Sequence, residues 1–323
     1  MKPALFRLAC AAALAFALGQ APAQAAYPDH PVTLVVPTAP GGGNDALARV
    51  VGQKMGELLG QTVIVVNKPG AQGAIASDYV ARAEPDGYTL MLGYIGTHGI
   101  NPALQKLNYD PVKDFAPIGM VASSPTLLVV SSTLDVKDVA GLVRYAHEHP
   151  NDLSFASAGP GTAPAVAGEL FNQAIGATML DVPYKGSAPA MTDTLAGTTQ
   201  VMFPSLFSAY PHLKSGRIRA LAVAGHDRSA VLPDLPTLAE AGVPGVEVPQ
   251  WYAIFAPAKT GPAVVEKLNA ALNQALADPQ VSAKIGEQGA EVRRSSPAEL
   301  GAFVQSEVQR WRQLASRSRL AAN

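Results

Sequence analysis

The chain has 323 residues with 24 basic against 25 acidic side chains, 48% hydrophobic residues and a single cysteine. That balance, with no dense basic tract, excludes a nucleic-acid-binding role, and one cysteine excludes a disulfide scaffold. Beyond the first 25 residues, nothing approaches the roughly 18 to 20 consecutive apolar residues of a membrane helix.

Residues 1–25 read as a secretory signal peptide, with Lys2 and Arg7, an apolar run over residues 8–18, and the small-x-small site Ala23-Gln24-Ala25. The expected location is the periplasm. Cys10 lies inside the apolar run, too early for a lipoprotein cleavage site, so the exported form has no thiol chemistry. Losing Lys2 and Arg7 takes the formal net charge from −1 to −3, and 323 residues less 25 leaves 298, a length suited to two domains.

The mature chain opens with a β-branched strand at residues 32–36, then Gly41, Gly42 and Gly43, then a helical pattern over 46–59. The glycines remove every β-carbon from the turn, so backbone N–H groups there can face a guest. Asn44 is the expected N-cap, and Asp45 falls in the first turn beside that guest. A strand at 63–67, a helix at 74–82 and a strand at 89–93 follow, the last running into a loop with Tyr94, Thr97 and His98. His98 reads as incidental, a lone loop histidine.

Strands at 153–156, 179–182, 200–203 and 220–224 alternate with helices at 139–147, 166–175 and 188–195, and helices at 262–277 and 297–315 close the chain. This alternation predicts an α/β protein whose sheets are mostly parallel and flanked by helices. Two segments break the rhythm, 116–130 and 246–257, both extended and apolar with a proline in the middle. They read as crossover strands between two domains, the first discontinuous (26–124 plus 251–323) and the second inserted (125–250). The hinge is then expected near residues 123–126 and 248–251, where Pro125 and Pro249 restrict the dihedrals that can rotate.

Residues 155–162 repeat the logic of the first loop, a strand running into Ser157, Gly159, Gly161 and Thr162 and then into a helix. An open helix N-terminus favours an anion, and Ser157 and Thr162 would add hydroxyl donors. If the two loops face each other, their helix N-termini form a carboxylate site without an arginine. On the same sheet edge, Tyr184 can wall a pocket and donate one hydrogen bond, and Lys185 can balance an anion.

No catalytic residue, metal or cofactor is expected. Gly41, Gly43 and Ala46 satisfy the dinucleotide fingerprint G-x-G-x-x-A, but the next strand ends in Asn67 and not in an acidic residue, and no P-loop lysine or G-x-S-x-G elbow occurs.

APGGGND, NKPGAQG, PDGYTL, SAGPGT with AGELF, VPYKGSAPA, SGRIRALAV, PTLAEAGVPG and WYAIFAP occur in order through nearly the whole mature chain. Together they resemble the Bug family, periplasmic solute-binding proteins of tripartite tricarboxylate transporters. The resemblance implies a two-domain, type II-like periplasmic binding fold, acting as a monomer, that closes on a small carboxylated solute and delivers it to membrane permease subunits. The alternative it leaves open is a receptor that docks on a sensor kinase ectodomain. Ala163, Ala165 and Pro204 stand where many relatives carry polar residues, which implies a less polar ligand tail.

Overall fold

The computed structural model describes residues 27–287 and 289–317; the expected signal peptide, its expected cleavage site and Cys10 lie outside the described residues. The first lobe begins with β1 (Val32–Val36), α1 (Gly43–Leu59), β2 (Val63–Asn67), α2 (Ala74–Ala81) and β3 (Thr89–Tyr94). A π turn, Gly96–Ile100, leads into the short helix α3 (Asn101–Leu104) and then β4 (Phe115–Ser124). The second lobe holds β5 (Leu127–Ser131), α4 (Val139–Glu148), β6 (Ser154–Ser157), α5 (Ala163–Ile175), β7 (Leu180–Pro183), α6 (Ser187–Ala196), β8 (Val201–Met202), α7 (Leu206–Leu213) and β9 (Ile218–Val223). The chain returns through β10 (Gln250–Pro257) to α8 (Pro262–Ala277), α9 (Pro279–Gly286), β11 (Glu291–Val292) and α10 (Pro297–Arg317).

Two sheets result, ordered β11-β4-β10-β3-β1-β2 and β7-β6-β8-β5-β9. Each is mixed, which corrects the expectation of mostly parallel sheets. The β1, β2 and β3 set and the β6, β7 and β8 set are parallel, whereas β4, β5 and β10 pair antiparallel with their neighbours. The reason is directional: β4 leaves the first lobe and β10 re-enters it beside β4, so the two must run opposite ways.

The local chemistry explains the elements. β1 is nearly all buried between β2 and β3, as its valines require, and α1 turns Leu47, Ala48, Val51, Met55 and Leu59 inward. Burying one such side chain stabilises by about 1.5 to 3 kcal/mol. α1 ends at Gly60 in the left-handed conformation, whose N–H bonds Gly56 O. Short helices α7 and α9 escape the sequence pattern, α7 with Pro211 inside it; side-chain caps from Ser205 and Asp278 start them.

The crossovers lie side by side. Pro125 and Thr126 separate β4 from β5, and the expected crossover over 116–130 is two strands in different sheets. Thr126 donates its hydroxyl to Val248 O at 2.6 Å, Gln250 Nε2 donates to Thr126 Oγ1 at 3.1 Å, and Ala224 N donates to Thr126 O at 2.8 Å. Residues 246–249 are extended but unpaired as a strand, and β10 starts only at Gln250. Among the described residues no helix is long and apolar enough to cross a membrane.

Candidate functional site

A cleft of about 650 Å³ lies between the lobes. It is walled by the loop ahead of α1, the turn ahead of α2, the loop ahead of α5 and the loop ahead of α6. A depression of about 690 Å³ along α1 and β2 is backed by the first lobe alone, and no helix N-terminus opens into it. The interlobe cleft is therefore the better binding site.

Three helices place their first residues in the cleft wall; α2 brings only its N-cap Gly73, and its first N–H, at Ala74, is already bonded to Ala71 O. α1 is preceded by Gly42, α5 by Thr162 and α6 by Gly186, and none of these positions makes a side-chain cap bond. The first N–H groups of a helix have no intrahelical partner, so those of Gly43, Asn44, Ala163, Ser187 and Ala188 remain for a guest, with the positive end of each dipole behind them. Among the described residues no aspartate or glutamate lines the cleft, and Lys185 is the one charged side chain that does. Thr38 Oγ1 and Asn44 Nδ2 also line it and are buried without a protein partner.

Of the residues singled out in the sequence, Gly42, Gly43, Tyr94, Gly159, Thr162, Tyr184 and Lys185 line the cleft. Gly41, Asp45, Thr97, Ser157 and Gly161 are not among the lining residues. Asp45 is buried and already paired: it accepts from Gly41 N at 3.0 Å and forms an ion pair with Arg49 at 2.9 Å. Burial pushes its carboxyl up, but the bonds from Arg49 and Gly41 outweigh that and leave it below the usual carboxylate range. By reaching back to Gly41, Asp45 stabilises the loop from the third helical position, so Asn44 is not the N-cap as expected; Gly42 is.

The hydroxyl donors are similarly committed. Thr162 donates to Gly159 O at 2.6 Å, Ser157 Oγ accepts from Gly159 N at 3.2 Å, and Thr97 Oγ1 bonds the Tyr94 backbone. These bonds shape loops. Tyr184 does wall the pocket, but its hydroxyl donates to Asp193 at 2.7 Å, and burial together with that bond pushes the phenol up to about 12. It offers a guest its ring and not its proton.

The turn at 70–73, within the motif NKPGAQG, contributes to the wall and was not singled out from sequence. Ala71 and Gln72 have φ of 45° and 51°, a left-handed conformation that costs about 1 to 2 kcal/mol per non-glycine residue. The Pro-Gly punctuation directly after β2 is the signal that could have marked it. The start of α6 was read as a strand exit and not as a third N-terminus.

His98 is fully buried, stacked on Phe255 at 4.0 Å and bonded through Nδ1 to Thr97 Oγ1 at 2.9 Å. It belongs to the core beneath the cleft. Burial pushes its pKa down to about 3, so it stays neutral while a histidine of the unfolded chain binds a proton near pH 6.5. Between those values the unfolded state holds the extra proton, so this group removes stability as pH falls. Lowering the pH from 7 to 5 should cost about 2 kcal/mol through His98. Urea titrations of wild type and His98→Gln at both pH values test this; equal pH dependence would refute it.

A family model, the tripartite tricarboxylate transporter family receptor (TctC), matches residues 47–320. Protein BugT of Bordetella pertussis is 34% identical over 288 residues, covering 88% of this chain and 88% of BugT. The solved structure of MatC from Rhodopseudomonas palustris with bound malate is 37% identical with a TM-score of 0.85, covering 89% of this chain and 99% of that one. That of Rpa4515 from R. palustris with adipate is 37% identical with a TM-score of 0.87, covering 92% and 98%. The two-lobed α/β fold, the uncapped cleft and these matches agree, and the chain belongs to the TctC receptor family, the Bug-type periplasmic solute-binding proteins of tripartite tricarboxylate transporters.

Proposed function

We infer that the protein captures a small carboxylated organic solute between its lobes and presents it to the permease subunits of a tripartite tricarboxylate-type transporter, after export to the periplasm through residues 1–25. The observation that carries this reading is the convergence of three uncapped helix N-termini on a cleft without an acidic side chain. Such a site compensates a carboxylate with backbone N–H groups and dipoles, and Lys185 adds charge at the rim. Malate in MatC and adipate in Rpa4515 are small organic acids of the class such a site would take.

We place the division between the lobes near residues 124/125 and 250/251, and the paired crossovers at Thr126 and Val248 are where closure would pivot. The rings of Tyr94 and Tyr184 would face the ligand's apolar part. A thermal-shift screen against organic acids, malate and adipate among them, tests this. A true ligand at 100 times its dissociation constant adds about 2.7 kcal/mol of stability. If no carboxylate raises the melting temperature while a cationic or neutral solute does, the proposal fails.

A further inference from the structure

We propose that Asn101, which does not itself line the cleft, is the positioning residue that sets the shape of its wall: it holds the left-handed turn 70–73 from behind and meets the opposite lobe at Gly161. The functional consequence rests on the binding role proposed above; the geometry does not. Gly70, Ala71, Gln72 and Gly73 have φ of 130°, 45°, 51° and 92°, four positive values in succession with two non-glycine residues among them. A strained turn persists only where its surroundings over-determine it. Gly73 N closes it on Gly70 O at 2.9 Å, and Ser77 Oγ donates to Gly73 O at 3.0 Å.

Ala74 N also donates to Ala71 O, and the side-chain hold on Gln72 comes from Asn101, a fully buried side chain whose Nδ2 donates to Gln72 O at 3.0 Å. Tyr94 reaches the same carbonyl only at 3.4 Å. Asn101 follows directly on the π turn, whose Gly99 packs on the buried Trp311, so the donor has a rigid base. Its other amide atom, Oδ1, is buried with no partner, and a β-carbon at Gly161 would fall 2.4 Å from it. One side chain therefore touches the cleft wall of one lobe and a cleft loop of the other. Without it, the carbonyl of Gln72 keeps only the long bond from Tyr94, and the strain at Ala71 and Gln72 favours relaxation toward ordinary φ and away from the wall.

The test compares wild type with Asn101→Ala and Asn101→Asp, the second keeping the shape while losing the donor. In ligand-free protein, amides of residues 70–74 should exchange with deuterium at least about tenfold faster in both variants, with α8 unaffected. Gln72→Gly, which removes the left-handed penalty at that residue, should blunt the effect of Asn101→Ala. Affinity for malate or adipate, whichever binds wild type, should fall about tenfold in Asn101→Asp. Unchanged exchange, or faster exchange with unchanged affinity, overturns the proposal. If neither acid binds wild type, the carboxylate reading is what fails, and the exchange comparison alone decides the role of Asn101.

Discussion

Gly161→Val is expected to weaken binding of a carboxylate ligand by about a hundredfold or more while leaving each lobe folded. The cause is not the one the sequence suggests. Gly161 is not among the residues lining the cleft; it faces Asn101 across the lobe interface, with φ of +72° and a β-carbon position 2.4 Å from Asn101 Oδ1. Valine would combine left-handed strain of about 1 to 3 kcal/mol with a wedge between the lobes. Apparent affinity falls with the fraction of molecules that can close, so a wedge acts on binding without touching the ligand.

Moving a population from 1:99 to 99:1 takes about 5.5 kcal/mol of differential affinity, which two or three charge-assisted hydrogen bonds at roughly 1.5 to 3 kcal/mol each supply. Helix N-termini from both lobes offer those bonds. Calorimetry measures the affinity, and small-angle scattering should show contraction with ligand in wild type but not in Gly161→Val. Contraction and affinity equal to wild type in the variant would remove the closure mechanism.

Glu307→Ala should cost about 2 to 4 kcal/mol of stability, as loss of the acceptor shared by two buried donors does. The Glu307 carboxylate accepts from Trp251 Nε1 at 2.9 Å and from Trp311 Nε1 at 3.2 Å, and pairs with Arg310 at 3.2 Å. Arg310 in turn donates to Glu247 O at 2.9 Å. Both indoles are buried, so alanine leaves two donors without partners and a guanidinium without its counter-charge. Because Trp251 is the second residue of β10 and Glu247 precedes the strand, the same network ties the returning crossover to α10. Urea denaturation measures the loss, and Glu307→Gln, which keeps an acceptor, should lie between. A loss below about 1 kcal/mol for alanine would show that the network relaxes without penalty.

Much of the fold was legible because it rests on local chemistry. The valine-rich runs at 32–36 and 63–67 are strands with those bounds, and Pro262 opens a helix that ends at Ala277 as its periodicity requires. The proline breaks at residues 125 and 249 marked the crossovers, since a chain changing sheets must interrupt its ladder. The two glycine loops were recognisable as helix N-termini left open, and the motif set carried the family.

What the sequence could not determine was which groups remain free once the chain is folded. Asp45 meets Arg49 and Gly41, Tyr184 meets Asp193, and Thr162 meets its own loop, so three candidate ligand contacts are wholly or partly committed to holding structure. Gly161 meets Asn101, sixty residues earlier and in the other lobe. The convergence of three N-termini depends on contacts such as Thr126 to Val248, 122 residues apart, which fix how one sheet faces the other. Periodicity and turn chemistry act over a few residues, so they specify elements; a cleft is made of pairings between elements distant in sequence, and only the tertiary structure selects those.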